Sequence, residues 1–168
     1  MKKIILLFIL GISILTVHSQ ETHEQKMATI IYGFCRLIQW PDYPNNSIQI
    51  NVYKESSVTD YLNYLSNKNQ LPHKVVTNNV EYPTYCHIFF VPSAYFQDFL
   101  TKESILAGKP ILIVSDYPNS IENNNIDVEF TYVIKNDNDK FLSYKINLNK
   151  IKSKSIKVCP EFIGYSQM

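Results

Sequence analysis

Cys86 and His87 stand side by side, Ser93 follows one apolar run, Ser115 and Asp116 follow another, and Cys35 and Cys159 lie far apart. These side chains could carry chemistry. A thiol–imidazole pair suits metal binding or nucleophilic attack, hydroxyls with a carboxylate suit a polar ligand, and two thiols suit a disulfide. Spacing decides among these. Neighbouring strand residues point to opposite faces, so Cys86 and His87 cannot grip one ion. The plainer roles are a hydrogen bond between strand and helix for His87 and a small buried hydrophobe for Cys86. Catalysis needs a base within reach of a nucleophile. Beyond the first twenty residues the only imidazoles are His23 near a terminus, His73 after Pro72 in a loop, and His87. No catalytic residue, metal site or cofactor site follows from these spacings. In open α/β sheets ligands sit beyond the carboxyl ends of the strands, so Ser93, Ser115 and Asp116 are candidates for a small-molecule pocket. Against that stand a helix cap at Ser93 and a turn at Asp116. Gly33, Gly108 and Gly164 are too far apart to form a phosphate-cradling loop.

The elements that must position these residues are legible from periodicity. Residues 24–39 carry Met27, Ile30, Ile31, Phe34, Cys35, Leu37 and Ile38 at helical spacing, and Trp40-Pro41 ends the run. Residues 47–53 alternate as a strand. Ser56 or Ser57 caps a helix whose inner face is Val58, Tyr61, Leu62 and Leu65. A short strand covers 74–77, and 86–91 is a continuous apolar run suited to a buried central strand. Ser93 then opens a helix with Tyr95, Phe96, Phe99 and Leu100. After Gly108-Lys109-Pro110 comes a second central strand over 111–114. Residues 127–134 and 141–148 alternate around the polar turn 135–140, a hairpin at the sheet edge. The tail ends in Val158, Phe162 and Ile163, apolar enough to dock. Strands alternating with helices predict one layered α/β domain. Its mixed sheet has about five or six strands flanked by helices and ends in a C-terminal antiparallel hairpin.

Composition removes several function classes. At 45% hydrophobic and 13% aromatic, the chain is no disordered tail. Lys2 and Lys3 precede a nearly continuous apolar stretch over 4–17, about fourteen residues against the ~20 of a membrane span. Val17-His18-Ser19 fits a cleavage site, so residues 1–19 are expected to be a signal peptide cleaved near Ser19 and Gln20. The mature domain, 20–168, is then exported and periplasmic, with no stable membrane insertion. Loss of Lys2 and Lys3 takes the formal charge from +1 to −1, too little for a nucleic-acid binder. The exported compartment permits a disulfide. A Cys35–Cys159 bridge is open to a tail that packs on the first helix, but three cysteines leave one unpaired and sequence does not fix the pairing. Lys150, Lys152, Lys154 and Lys157 read as a solvated basic face.

Four segments together resemble the YfiR family of periplasmic regulators: Tyr32-Gly33-Phe34-Cys35-Arg36-Leu37-Ile38-Gln39-Trp40-Pro41, Cys86-His87-Ile88-Phe89-Phe90-Val91, Ile111-Leu112-Ile113-Val114-Ser115-Asp116 and Tyr144-Lys145-Ile146-Asn147-Leu148. They stand in the family's order. Departures are Asn123-Asn124-Asn125 where the family has Gly-Gly, no upstream cysteine partner for the Cys-His-Ile strand, and Cys159-Pro160 in the tail. The resemblance implies a non-enzymatic, homodimeric protein that binds the periplasmic part of a membrane-bound diguanylate cyclase and restrains cyclic di-GMP signalling and biofilm formation. A periplasmic small-molecule sensor is the alternative. Aromatic anchors dominate binding interfaces, so Tyr32, Arg36 and Trp40 are the candidates for partner contact. Burial against the sheet is the competing role of the aromatic helix.

Overall fold

The computed structural model describes residues 21–41, 47–68, 71, 74–82, 84–122, 125–135 and 139–165. The expected export signal and its cleavage point, Pro72 and His73, Asn123 and Asn124, and the centre of the hairpin turn lie outside the described residues.

Helix α1, His23–Leu37, starts where chemistry allows it to. Thr22 Oγ1 accepts the Gln25 N–H, and the Gln25 side chain accepts the Thr22 N–H at 2.8 Å, so the cap is reciprocal. A two-residue strand β1, Ile38–Gln39, follows, then β2, Ser47–Tyr53. Helix α2, Ser57–Asn67, is capped by Ser56, and β3 is Lys74–Val80. Strand β4, Ile88–Val91, leads into a 3-10 turn, Ser93–Tyr95, and the short helix α3, Phe96–Leu100. A second 3-10 turn, Glu103–Leu106, precedes β5, Leu112–Ser115. Strands β6, Val128–Lys135, and β7, Asp139–Ile146, form the hairpin. The tail adds α4, Leu148–Ser153, β8, Lys157–Val158, and α5, Pro160–Tyr165.

The main sheet runs β3-β2-β4-β5-β6-β7. Its first five strands are parallel, and β7 is antiparallel to β6. The chain steps one way from β2 to β3 and the other way from β4 to β5. Right-handed crossovers therefore put α2 and α3 on opposite faces. One core holds Met27, Ile31 and Phe34 of α1 with Val58, Leu62 and the inner side of the sheet. The other holds Phe89, Val91 and Ile113 under Phe96, Phe99 and Leu106. Strands covered on both sides need no alternation, which is why β4 and β5 are buried at every position. β1 pairs antiparallel with β8, fastening the tail to the end of α1.

Candidate partner-binding site

Helix α1 turns Met27, Ala28, Ile31, Phe34 and Cys35 into the core. By helical spacing Ile30, Gly33 and Leu37 share its flank. That flank faces β7, the last strand of the sheet. Between α1 and the hairpin lies a groove of about 540 Å³, lined chiefly by Ile30, Gly33 and Leu37 on one side and Val133 of β6 with Phe141, Leu142 and Tyr144 of β7 on the other. Its floor at Gly33 is open, since a Cβ there would meet nothing within 4 Å. Phe141 at the rim is 52% exposed, and Ile134 across the hairpin is 66% exposed. Arg36 and Lys140 are exposed, and Lys145 reaches Glu129 at 3.6 Å.

Of the three residues expected to contact a partner, only Arg36 is exposed. Tyr32 is 6% and Trp40 7% exposed, both inside the α1 core. Trp40 Nε1 donates to the His87 carbonyl at 3.1 Å, and its ring stands edge-on to the imidazole. His87 Nδ1 accepts the Gln49 N–H at 2.9 Å, so in the neutral ring Nε2 carries the proton. Cys86 lies in the opposite core from that Trp40–His87 contact. No group of three or more His, Cys, Asp or Glu among the described residues is placed to hold a metal ion.

Ser93 and Asp116 are brought together by their own hydrogen bonds, while neighbouring Ser115 bonds elsewhere. The Ser93 N–H donates to Asp116 Oδ1 at 2.5 Å and its hydroxyl to Oδ2 at 3.3 Å. Ser93 therefore does not cap α3. It lies within the 3-10 turn, and its donors tie the end of β4 to the end of β5. The Ser115 hydroxyl donates to the Val91 carbonyl and accepts the Tyr117 N–H. Burial pushes the Asp116 carboxyl up, against the hydrogen bonds from Ser93. Its outer side lines a smaller groove of about 280 Å³ with His23, Glu129 and Tyr132.

Cys35, Cys86 and Cys159 are thiols in the structure, so the Cys35–Cys159 bridge is not formed in it. The tail does reach α1, as that pairing required, with the Cys159 N–H donating to the Leu37 carbonyl at 2.9 Å. The sulfurs are engaged elsewhere. Cys35 Sγ points back to the Ile31 carbonyl at 4.0 Å, with burial pushing its thiol up to about 12. The Cys159 thiol hydrogen-bonds Glu161 and holds that carboxyl below its usual range.

Two charge clusters escaped the sequence reading. At the carboxyl ends of β2 and β4, where the strand order reverses, Lys54 and Lys102 converge on Asp98 at 2.7 and 3.2 Å. Tyr53 donates to the same carboxylate at 2.7 Å. Hydrogen bonds from Lys54, Tyr53 and Lys102 hold the Asp98 carboxyl far below the usual range. Lys54 also has φ of 60°, a left-handed conformation uncommon outside glycine. At the other end of the sheet Asp127 is fully buried. It accepts Lys154 Nζ at 2.6 Å and the Ile113 N–H at 2.7 Å, with Lys150 Nζ at 3.9 Å. Lys150 and Lys154 thus correct the expectation of a solvated lysine face. The signal for it was their i,i+4 spacing at the end of a helix.

A doubly wound α/β domain with an apolar groove between its first helix and its terminal hairpin is the class that fold and site define. The chain belongs to the YfiR/HmsC-like family, whose model matches residues 24–164. No curated protein matches it. No helix among the described residues is long and apolar enough to cross a membrane.

Proposed function

We propose that this chain is an exported, non-enzymatic regulator. It grips the periplasmic part of a membrane sensor, a diguanylate cyclase, through the groove between α1 and β7 and restrains cyclic di-GMP output. The family is a periplasmic regulatory one, which supports the reading. The observation that carries the site is the 540 Å³ groove with its largely apolar lining. Apolar surface left open in this way marks an interaction site. Arg36 is the one sequence candidate that is exposed, next to Leu37 of the groove; Tyr32 and Trp40 support α1 from within. The signal peptide, residues 1–19, delivers the domain 20–168 to the periplasm, where it works as a homodimer. Deleting the gene is expected to raise cyclic di-GMP and surface attachment. Unchanged levels, under conditions where the gene is expressed, overturn this function.

A second reading, a periplasmic small-molecule sensor, draws on the strand order. The polar cluster of Lys54, Asp98, Lys102 and Tyr53 occupies the reversal point where ligands of doubly wound sheets bind. Thermal-shift screening of metabolites tests it: stabilisation lost in Lys102→Met supports this reading, and no stabilisation by any ligand removes it.

A further inference from the structure

We infer that Lys150 and Asp127 join in an amide, an intrachain cross-link that the folded protein forms unaided. The inference stands apart from partner binding and rests on side chains that no function above uses. Asp127 is fully buried just before β6, and Lys150 reaches it from α4, with Nζ 3.9 Å from Oδ1. Asp127 Oδ1 and Lys150 Nζ are both buried and make no hydrogen bond among the described residues. The same is true of Oε2 of Glu103, whose charge acts on Lys150. Native interiors leave few such atoms, and each calls for a physical reason.

The other oxygen of Asp127 is held differently. Oδ2 accepts Lys154 Nζ at 2.6 Å and the Ile113 N–H at 2.7 Å. Two donors fixed on one carboxyl oxygen stabilise the oxyanion that develops when a nucleophile adds to the carbon. Oδ1, bonded to nothing, is the oxygen placed to leave. Lys154 is not the nucleophile, because Oδ2 and the Ile111 carbonyl, at 2.9 Å, engage its ammonium. A proton passed from Lys150 to Asp127 makes the amine and the acid that react. Burial favours that transfer at both groups, raising the carboxyl and lowering the ammonium to about 8. The Lys150 nitrogen then adds to Cγ. The N–Cγ bond forms, the Cγ–Oδ1 bond breaks, and Oδ1 leaves as water with the acid's proton and one from the amine. Glu103 relays the second proton, and nothing is oxidised or reduced. Proximity fixed by the fold supplies the rate. The product clamps α4 to the start of β6 in a domain whose cysteines are thiols. Until it forms, the two groups act as separate charges.

Intact mass tests this directly. The purified mature chain is held near pH 8, where the Lys150 amine is about half unprotonated, and its mass is followed with time. The folded chain is expected to become lighter by one water, and peptide mapping to show the segment around Asp127 joined through Lys150. Lys150→Met is expected to stay folded and keep its full mass, as is the wild-type chain unfolded in urea. Glu103→Gln is expected to slow the loss about a hundredfold or more. A folded wild-type chain whose mass never drops overturns the cross-link. Loss of water that persists in Lys150→Met or in urea marks another dehydration and overturns it as well. A bond mapped to Lys154 overturns the choice of nucleophile, and a rate unchanged in Glu103→Gln overturns the relay.

Discussion

Asp127 shows what a single buried charge demands of its neighbours. Its carboxylate receives Lys154 and the Ile113 N–H, while Lys150 stops at 3.9 Å. Lys150 Nζ makes no hydrogen bond among the described residues. Burial dominates both sides of this group. It pushes the Asp127 carboxyl up and the Lys150 ammonium down to about 8, although each attracts the other. The two lysines therefore differ in kind. Lys154→Met removes the close partner of a buried carboxylate and is expected to cost about 3 kcal/mol or more in chemical denaturation at pH 7. Lys150→Met removes a cation held at a desolvation cost and is expected to be neutral or stabilising at pH 7. The pH dependence has a fixed sign. Lys150 titrates lower in the folded chain than the ordinary 10.5, so between about 8 and 10.5 the unfolded chain binds more protons. Its contribution to stability must rise with pH across that window. Subtracting the denaturation curves of Lys150→Met from wild type at several pH values between 8 and 10.5 isolates this slope. A difference that falls or stays flat contradicts it.

The tail is the element whose role the sequence half disclosed. Its apolar end forecast docking, and Phe162 is indeed fully buried, edge-on to Phe34 with ring centres 5.0 Å apart. The Tyr144 hydroxyl donates to the Phe162 carbonyl at 2.8 Å. What no pattern disclosed is the ladder of β1 with β8. Two-residue strands have no periodicity to read, and their pairing depends on residues more than a hundred positions apart. Between the two roles open to Trp40, burial is the one the fold shows, and the sequence could not choose for a related reason. A large aromatic beside Pro41 fits an interface anchor as well as a plug, and only the position of the His87 carbonyl decides between them. The tail braces the inner side of α1, so it indirectly holds the groove. Phe162→Ala is expected to cost about 3–5 kcal/mol. Because α5 contacts both α1 and β7, it is also expected to raise exchange at α1 amides. A variant of unchanged stability would mean that α5 merely decorates the surface.

At the scale of the whole molecule, the layered sheet was legible because its central strands are long apolar runs and its helices carry clear stripes. The order β3-β2-β4-β5-β6-β7 was not, since single-chain periodicity says nothing about which strands become neighbours. That order leaves two unequal edges. β3 presents Lys74, Asn78 and Asn79 outward as exposed residues and has α2 packed close by. β7 presents a groove and the half-exposed Phe141, guarded by Lys140 and Lys145. Charged residues on edge strands keep such edges from joining one another. The guard can be lowered without touching the fold, because Lys140 is exposed while Lys145 is needed beside the buried Glu129. Lys140→Val also raises strand propensity at an edge that already offers Phe141. The variant is expected to keep wild-type stability within about 0.5 kcal/mol. At micromolar concentration it is expected to form faster-sedimenting species that Gly33→Glu, placing a carboxylate in the open groove, suppresses. Lys140→Val sedimenting as wild type at every concentration would show that this edge is closed by something other than its charges.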